Sequence, residues 1–236
     1  MRLCVEGLEK HFGEKQVLKG AGFTFHKGNI YGLLGRNGAG KTTLFNCLSG
    51  RTPIDGGKIF LEDEKGIRSL TAEEVGFVFT EPHLPDFLTG YEYLKFFCEI
   101  NEGKIADPQP LEAYFKQIQI AEEDQHRLIK GYSHGMKNKL QMLSFLILRP
   151  PVILLDEPLT SFDVVVALEI KNLLRSIRQD HIIIFSTHIL QLAQDLCDDI
   201  VVLSGGKLEG MDQSMLHSPQ FEEEIIQLLR DEEEKG

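Results

Sequence analysis

The sequence predicts an α/β fold with a mostly parallel sheet and a mainly helical insertion. Short apolar runs typical of strands alternate with runs of helical spacing, and a glycine-rich loop joins one strand to a helix. Between about residues 91 and 149 the strand signal is weak and helical spacing dominates. Alternating strands and helices are typical of a parallel sheet, so the helical stretch indicates an insertion into it.

Strands are predicted in the N-terminal part, with one helix among them. The helix extends from about Lys41 to Leu48 and ends before a stretch of turn residues. Short apolar or β-branched runs separated by turns predict the strands, and they read "QVLKG", "GFTFHKGN", "IYGLLG" and "GGKIFLE".

The remaining elements are predicted to be helices and buried strands. Helical apolar spacing is found in "GYEYLKFFCEI", "PLEAYFKQIQI", "GMKNKLQMLSFLILR", "DVVVALEIKNLLRSIRQD" and "ILQLAQDLCDD". Continuous apolar runs in "PVILLDEP" and "HIIIFSTH" predict buried parallel strands, and "IVVLSGGKLEG" predicts a hairpin. The terminal "SPQFEEEIIQLLRDEEEKG" predicts a short, acidic, solvated helix. A helix that binds a partner or stabilises a dimer is the alternative.

Composition restricts the class of protein. The chain has 236 residues, of which 42% are apolar and 26% are charged, as in an ordinary globular domain. A formal net charge of -11 argues against nonspecific nucleic-acid binding. The 4 cysteines are far apart, so we expect inert thiols and no metal site built on them. No run approaches the roughly 20 apolar residues of a membrane span, so work at a membrane requires another chain to cross it.

A glycine-rich loop carries the strongest functional signal. Gly35 to Thr42 match the pattern GxxxxGK[ST] in full, after an apolar strand and before a helix. Such a loop turns its N–H groups toward a phosphate, and Lys41 can reach the β- and γ-phosphates of a nucleotide. The Thr42 hydroxyl can bind Mg²⁺. A chance glycine turn before a helix is the alternative. The predicted nucleotide-binding residues are Gly35, Arg36, Asn37, Gly38, Ala39, Gly40, Lys41, Thr42 and Thr43.

Polar residues follow two neighbouring predicted strands. Asp156 and Glu157 end the run "VILLDEP", and buried carboxylates there are unfavourable unless they meet a cation or water. We expect Asp156 to hold Mg²⁺ and Glu157 to polarise the water that attacks the γ-phosphate. His188 follows the next strand and is expected at the same sheet edge as a γ-phosphate contact, because ligands of open α/β sheets bind there. A solvated strand end and a structural histidine are the alternatives.

In order along the chain, "GRNGAGKTT", "YSHGM", "VILLDEP", "LTSFD" and "FSTH" resemble the motifs of an ABC transporter's ATP-binding subunit, and the resemblance covers nearly the whole chain. It implies a P-loop NTPase fold of the ABC type, with an N-terminal antiparallel β subdomain, a mostly parallel core sheet and an inserted helical subdomain. Residues 1–208 would form one ATP-binding domain that contains the helical subdomain at about residues 84–149. Residues 209–236 would form a short C-terminal extension, and the single-cassette length resembles subunits of drug, peptide or ion exporters.

The resemblance also implies roles for single residues. Phe12 matches an aromatic ring that stacks on adenine, although an apolar packing role is the alternative. Ser161 and Asp163 match residues that communicate across a dimer of cassettes. The stretch that would contact ATP held by the opposite subunit comprises Ser133, His134, Gly135 and Met136.

Two departures from the family's pattern stand out. Thr80 occupies a position where many relatives carry a glutamine that touches Mg²⁺ and the attacking water. Threonine is too short for all of these contacts, and Glu81 is an adjacent candidate for the metal. In "YSHGM", His134 and Met136 replace a glycine and a glutamine of the commoner "LSGGQ".

The resemblance implies an ATPase that uses ATP and Mg²⁺, dimerises around two ATP molecules and drives export through a separate membrane-spanning subunit. It implies a location at the cytoplasmic face of the cell membrane, with Leu84, Phe87 and Tyr91 as candidate contacts to that subunit. No nucleic-acid partner is expected. A soluble ABC-type ATPase acting on nucleic acid or ribosomes is the alternative. A GTPase is not expected, because "NKLQ" lacks the aspartate of the guanine-reading motif "NKxD".

Overall fold

The computed structural model describes residues 1–158, 164–216, 218 and 220–230, and two β-sheets organise it. The strands in chain order are β1 (Arg2–Phe12), β2 (Lys15–His26), β3 (Ile30–Leu34), β4 (Gly56–Asp63), β5 (Gly66–Ser69), β6 (Val75–Val78), β7 (Val152–Asp156), β8 (Ile182–Ser186), β9 (Asp199–Ser204) and β10 (Lys207–Gly210). One sheet is antiparallel with the order β2-β1-β4-β5.

The second sheet forms the centre of the molecule and has the order β10-β9-β3-β8-β7-β6. Strands β6, β7, β8, β3 and β9 are parallel, and β10 pairs with β9 as an antiparallel hairpin. The helices are α1 (Lys41–Leu48), α2 (Gly90–Ile100), α3 (Leu111–Gln117), α4 (Glu122–Gln125), α5 (His134–Leu148), α6 (Val164–Ile177), α7 (Leu190–Leu196), α8 (Gln213–Leu216) and α9 (Phe221–Arg230).

Alternate residues of the central strands enter two different cores, which explains their continuous apolar runs. In β7, Val152 and Leu154 pack toward the antiparallel sheet, whereas Ile153 and Leu155 pack with α5, α6 and α7 on the opposite face. A parallel sheet covered on both faces requires apolar side chains at both registers. A third cluster, in the predicted insertion, is built from α2, α3 and α5 around residues such as Leu94.

Most predicted elements are confirmed, but two predicted strands are one, and some strands were not predicted. The runs "QVLKG" and "GFTFHKGN" belong to one strand, β2, because the chain crosses Gly20 in the left-handed region without leaving the ladder. Strands β1, β5 and β6 are not among the predicted strands. In β1 the apolar alternation is interrupted at Gly7, where the register with β2 shifts between Val5 and Leu8.

The terminal helix α9 is less solvated than the sequence predicts. The side chains of Phe221 and Ile225 are 1% and 0% exposed, and both belong to the core on the α6–α7 face of the central sheet. The exposed acidic residues of α9, Glu222 and Glu223, lie on its other side. The expectation of a solvated helix is therefore wrong for one face.

The structure also bears on the expectations about membrane spans and cysteines. Within residues 1–158, 164–216, 218 and 220–230, the helices lack the length and apolar character needed to cross a membrane. All 4 cysteines are free thiols, and Cys4, Cys47 and Cys197 are buried.

Candidate functional site

A cavity of about 380 Å³ opens at the carboxyl edge of the central sheet. Open α/β sheets bind ligands at this edge. Its walls come from the β1–β2 turn, the β3–α1 loop and the residues after β6 and β7. The lining residues are Phe12, Lys15, Val17, Asn37, Gly38, Gly40, Lys41, Thr42, Thr43, Thr80, Asp156 and Glu157.

The β3–α1 loop has the backbone that its glycines predict. Gly38 and Gly40 have φ of +81° and +107°, which favour glycine. A Cβ at Gly40 would lie 2.8 Å from Val17 Cγ1, and one at Gly35 would lie 2.8 Å from the carbonyl oxygen of Leu203. The loop therefore depends on glycine both for its backbone angles and for close packing on β2 and β9.

Lys41 places a cation under this loop. Its ammonium donates to the carbonyl oxygens of Gly35 at 2.7 Å and Arg36 at 3.2 Å. Burial lowers the pKa of Lys41, while the carboxylates of Glu157 and Asp156 raise it. A buried ammonium beside backbone N–H groups at a helix N-terminus suits an anionic ligand such as a phosphate.

Asp156 is buried among hydroxyl donors. Thr42 Oγ1 donates to its Oδ2 at 2.8 Å, and Ser186 Oγ donates to its Oδ1 at 2.6 Å. The carboxylate and hydroxyl oxygens of Asp156 and Thr42 thus lie together at the cavity wall. Mg²⁺ prefers oxygen ligands, and proteins usually hold it with one or two carboxylates together with the phosphates of a substrate. The oxygen atoms of Asp156 and Thr42 therefore fit Mg²⁺.

Glu157, in the cavity wall, pairs with His188, which lies beside the cavity. His188 Nδ1 lies 3.2 Å from Glu157 Oε2, and the side chain of His188 is 54% exposed while that of Glu157 is 23% exposed. Strands β7 and β8 are neighbours, and this places the two residues together, as their positions after adjacent strands predict. His188 and Arg36 line a second cavity of about 520 Å³, with Leu34, Gly35, Asn37, Thr187, Leu190 and Ile225. Arg36 and His188 therefore lie next to the first cavity and outside its lining.

Phe12 lies at the rim of the first cavity and is 53% exposed. Lys10 Nζ lies 5.4 Å from the ring centroid and 3.1 Å from Asp55 Oδ1. The exposure of Phe12 argues against the alternative that it packs in an apolar core. An open ring at the rim is available for stacking on a planar ligand.

The stretch from Ser133 to Met136 lies elsewhere. Ser133 is the N-cap of α5, where its Oγ accepts from the N–H of Met136 at 3.2 Å. Ser133 and His134 are exposed and Gly135 is buried. None of these residues is among those that line the two cavities. Ser161 and Asp163 lie outside the described residues.

Thr80, at the family's glutamine position, and the adjacent Glu81 differ in placement. Thr80 lines the first cavity, and its Oγ1 donates to the carbonyl oxygen of Asp156 at 2.9 Å. Glu81 is exposed and is not among the residues that line this cavity.

Comparison with known proteins decides the family. The model of the ABC transporter family matches residues 18–160, more than half of the chain. The chain belongs to the ABC transporter family. This cassette is an ATP-binding protein and an ATPase of that family, with the α/β fold that its motifs predict.

Several relatives and one solved structure illustrate the similarity. The cassette is 31% identical to an uncharacterized ABC transporter ATP-binding protein of Bacillus subtilis over 90% of this chain and 71% of that protein. It is 34% identical to a fluoroquinolones export ATP-binding protein of Mycobacterium tuberculosis, over 83% of this chain and 65% of that protein. It is 32% identical to a sulfate/thiosulfate import ATP-binding protein of Mannheimia succiniciproducens, over 93% of this chain and 64% of that protein. An ATP binding subunit of an ABC transporter has a similar fold, with a TM-score of 0.80 at 23% identity over 97% of this chain and 99% of that chain.

Sequence reasoning missed three residues of the cassette's site. Ser186 bonds the Asp156 carboxylate, and Lys15 and Val17 line the cavity. The sequence marks Ser186 as a polar residue at the end of the apolar strand of "FSTH". Its place directly across from Asp156 follows from the β7–β8 register, which the sequence does not specify. Lys15 and Val17 carry no comparable signal, because the long β2 strand brings them to the loop.

Proposed function

We propose that the cassette binds ATP with Mg²⁺ in the 380 Å³ cavity and hydrolyses it with Glu157 as the general base. One observation carries the proposal. The buried Lys41, the Thr42–Asp156 oxygen pair and the Glu157–His188 pair converge at one edge of the central sheet. This arrangement combines a phosphate cradle, cation ligands and a water-polarising carboxylate, as phosphoryl transfer requires.

Each group has a distinct task in this proposal. The loop N–H groups and Lys41 bind and orient the β- and γ-phosphates, and Phe12 stacks on the base. Thr42 and Asp156 would hold Mg²⁺, which neutralises phosphate charge when it is bound. The Glu157 carboxylate takes a proton from water, and the contact with His188 Nδ1 at 3.2 Å holds that carboxylate in place.

Replacing Glu157 with glutamine tests the base. The amide keeps the shape of the side chain but no longer accepts a proton, so hydrolysis is expected to fall by roughly 10²-fold or more while ATP binding persists. Phosphate release and equilibrium binding of ATP are the measurements. The matched control is Glu81→Gln, which alters an exposed carboxylate outside the cavity lining and is expected to leave both values unchanged. Turnover by Glu157→Gln at the wild-type rate would refute the base assignment.

Transport through a separate membrane subunit is the second part of the proposal. Two observations support it: the chain belongs to the ABC transporter family, and the apolar residue Phe87, which precedes α2 in the chain, is 78% exposed. Leu84 and Tyr91 beside it are half-buried against the helical cluster. We infer that this surface receives the membrane subunit at the cytoplasmic face of the membrane. A membrane protein that co-purifies in detergent with the wild-type chain but not with Phe87→Asp is the expected result.

Export is the proposed direction. The fluoroquinolones export relative, at 34% identity, supports it, whereas a sulfate/thiosulfate import relative reaches 32%. Uptake assays with the reconstituted transporter in inverted and right-side-out vesicles distinguish export from import.

We further propose that two cassettes dimerise around two ATP molecules. The support is that the stretch from Ser133 to Met136 is not among the described residues that line the two cavities at the sheet edge.

A further inference from the structure

The peptide that joins Asp156 to Glu157 is held from both sides. Its carbonyl oxygen accepts from Thr80 Oγ1 at 2.9 Å, and its N–H donates to Ser186 Oγ at 3.0 Å. Ser186 Oγ also donates to Asp156 Oδ1 at 2.6 Å. A hydroxyl has one proton to donate and lone pairs to accept, so Ser186 makes both contacts at once.

This peptide leads into a strained residue. Glu157 has φ of +47°, in the left-handed region, and Pro158 follows it. A non-glycine residue in this region is strained and persists only where the surroundings fix it, and a residue before proline favours extended backbone. The other non-glycine residues with positive φ in the described part of the chain are Gln119, just beyond α3, and Arg149, the C-cap of α5. Of these three residues, Glu157 is the one that follows β7 at the carboxyl edge of the central sheet.

Thr80 reaches the peptide because of its place in the sheet. Strand β6 pairs with β7 in parallel, with Val78 opposite Leu155, so the chain after β6 passes beside the end of β7. The carbonyl oxygen of Phe79 accepts from Gln141 Nε2 of α5 at 3.3 Å, and the Arg51 guanidinium lies 4.6 Å from the Phe79 ring centroid. These contacts hold the segment that carries Thr80.

We propose that Thr80 is a positioning residue for hydrolysis: its hydroxyl clamps the Asp156–Glu157 peptide opposite Ser186 and thereby aims the Glu157 carboxylate. The Thr80 hydroxyl donates its proton to the carbonyl oxygen of Asp156. This carbonyl belongs to the peptide that precedes Glu157 and so orients the Glu157 side chain. A threonine at this position therefore acts through Glu157 and not by reaching the phosphates. This inference rests on the proposed role of Glu157 as base.

Thr80→Val is the test variant, because it keeps the shape of the side chain and removes the hydroxyl. The expected result is a fall in kcat of about tenfold or more, with KM for ATP and the Mg²⁺ concentration for half-maximal rate nearly unchanged. Thr80→Ser retains the hydroxyl and is expected to keep most of the activity. Thr24→Val, a half-buried threonine of β2 outside the cavity lining, is the matched control and is expected to have the wild-type rate.

A double variant separates this inference from the function on which it rests. If Thr80 acts through Glu157, Thr80→Val costs little further activity in the Glu157→Gln background. Loss of activity in Glu157→Gln with normal turnover in Thr80→Val would overturn the clamp alone. Normal turnover in Glu157→Gln would overturn the proposed base. The clamp is also contradicted if extra Mg²⁺ restores Thr80→Val, or if Thr80→Ser is as inactive as Thr80→Val.

Discussion

At the scale of single residues, Phe12 separates recognition of the base from recognition of the phosphates. Phe12 is 53% exposed at the cavity rim and is not part of the buried core, so removing its ring leaves the core unchanged. Stacking of a base on an aromatic ring contributes about 1–3 kcal/mol, so Phe12→Ala is expected to weaken ATP binding by roughly 5- to 150-fold. Phe12→Tyr is expected to retain the affinity.

Inorganic tripolyphosphate provides the control for Phe12, since it carries the phosphates without a base. Calorimetric titration should give the same affinity for tripolyphosphate in the wild-type chain and in Phe12→Ala. An equal loss for both ligands would mean that Phe12 acts on the shape of the loop and not on adenine.

The positions of residues at the cavity were predictable where one motif indicated them, whereas their roles stay predictions. The spacing in the loop predicted the places of Lys41 and Thr42, and the end of an apolar strand predicted that of Asp156, because strand ends of a parallel sheet share an edge. The contacts of Ser186 and Thr80 were not predictable, since they depend on the order and register of β6, β7 and β8. Hydrogen bonds between strands require the pairing, which the spacing of residues along the chain does not specify.

At the scale of elements, periodicity predicted which side of a helix is apolar and did not predict what covers it. The acidic composition of α9 suggested solvent, yet Phe221 and Ile225 lie in the core. Strands buried on both faces were the easier case. Their runs in β7 and β8 are continuously apolar, whereas the bulge at Gly7 hides the alternation of β1.

The segment before β8 makes stability depend on pH. His181 is 4% exposed, and its Nδ1 lies 2.6 Å from the carbonyl oxygen of Pro150, which accepts from the neutral ring. Burial lowers the pKa of His181. Below about pH 6.5 the unfolded chain takes up a proton that the folded ring still refuses, so folding stability present above that pH is lost as the pH falls.

Denaturant unfolding of wild-type and His181→Gln chains at pH 7.5 and 5.5 measures this effect. The wild-type free energy of unfolding is expected to fall more steeply toward low pH than that of the variant, by at most about 1.4 kcal/mol for each pH unit. His26→Gln, at an exposed histidine, is expected to keep the wild-type slope. Parallel curves for the wild-type chain and His181→Gln would contradict the role of burial.

At the scale of the whole molecule, the proposed dimer would divide each ATP site between two chains. Lys41, Asp156 and Glu157 lie around one cavity, while Ser133 caps α5 outside the described cavity lining. If Ser133 serves ATP held by a second copy, each site of a two-fold dimer combines the loop of one chain with the α5 N-terminus of the other. Ser133→Arg and Gly135→Asp should then impair dimerisation and hydrolysis more than ATP binding by the monomer.

Mixing two inactive variants tests this arrangement without a partner protein. Lys41→Ala removes the phosphate contact, and Ser133→Arg blocks the opposite surface, so neither homodimer has an intact site. In a mixed dimer one site combines the normal loop of the Ser133→Arg chain with the normal Ser133 of the Lys41→Ala chain, and phosphate release should reappear on mixing. The double variant Lys41→Ala/Ser133→Arg mixed with either single variant has no intact site and is the control. Failure of the single variants to complement, despite mixed dimers seen by sedimentation, would place Ser133 outside the hydrolytic site.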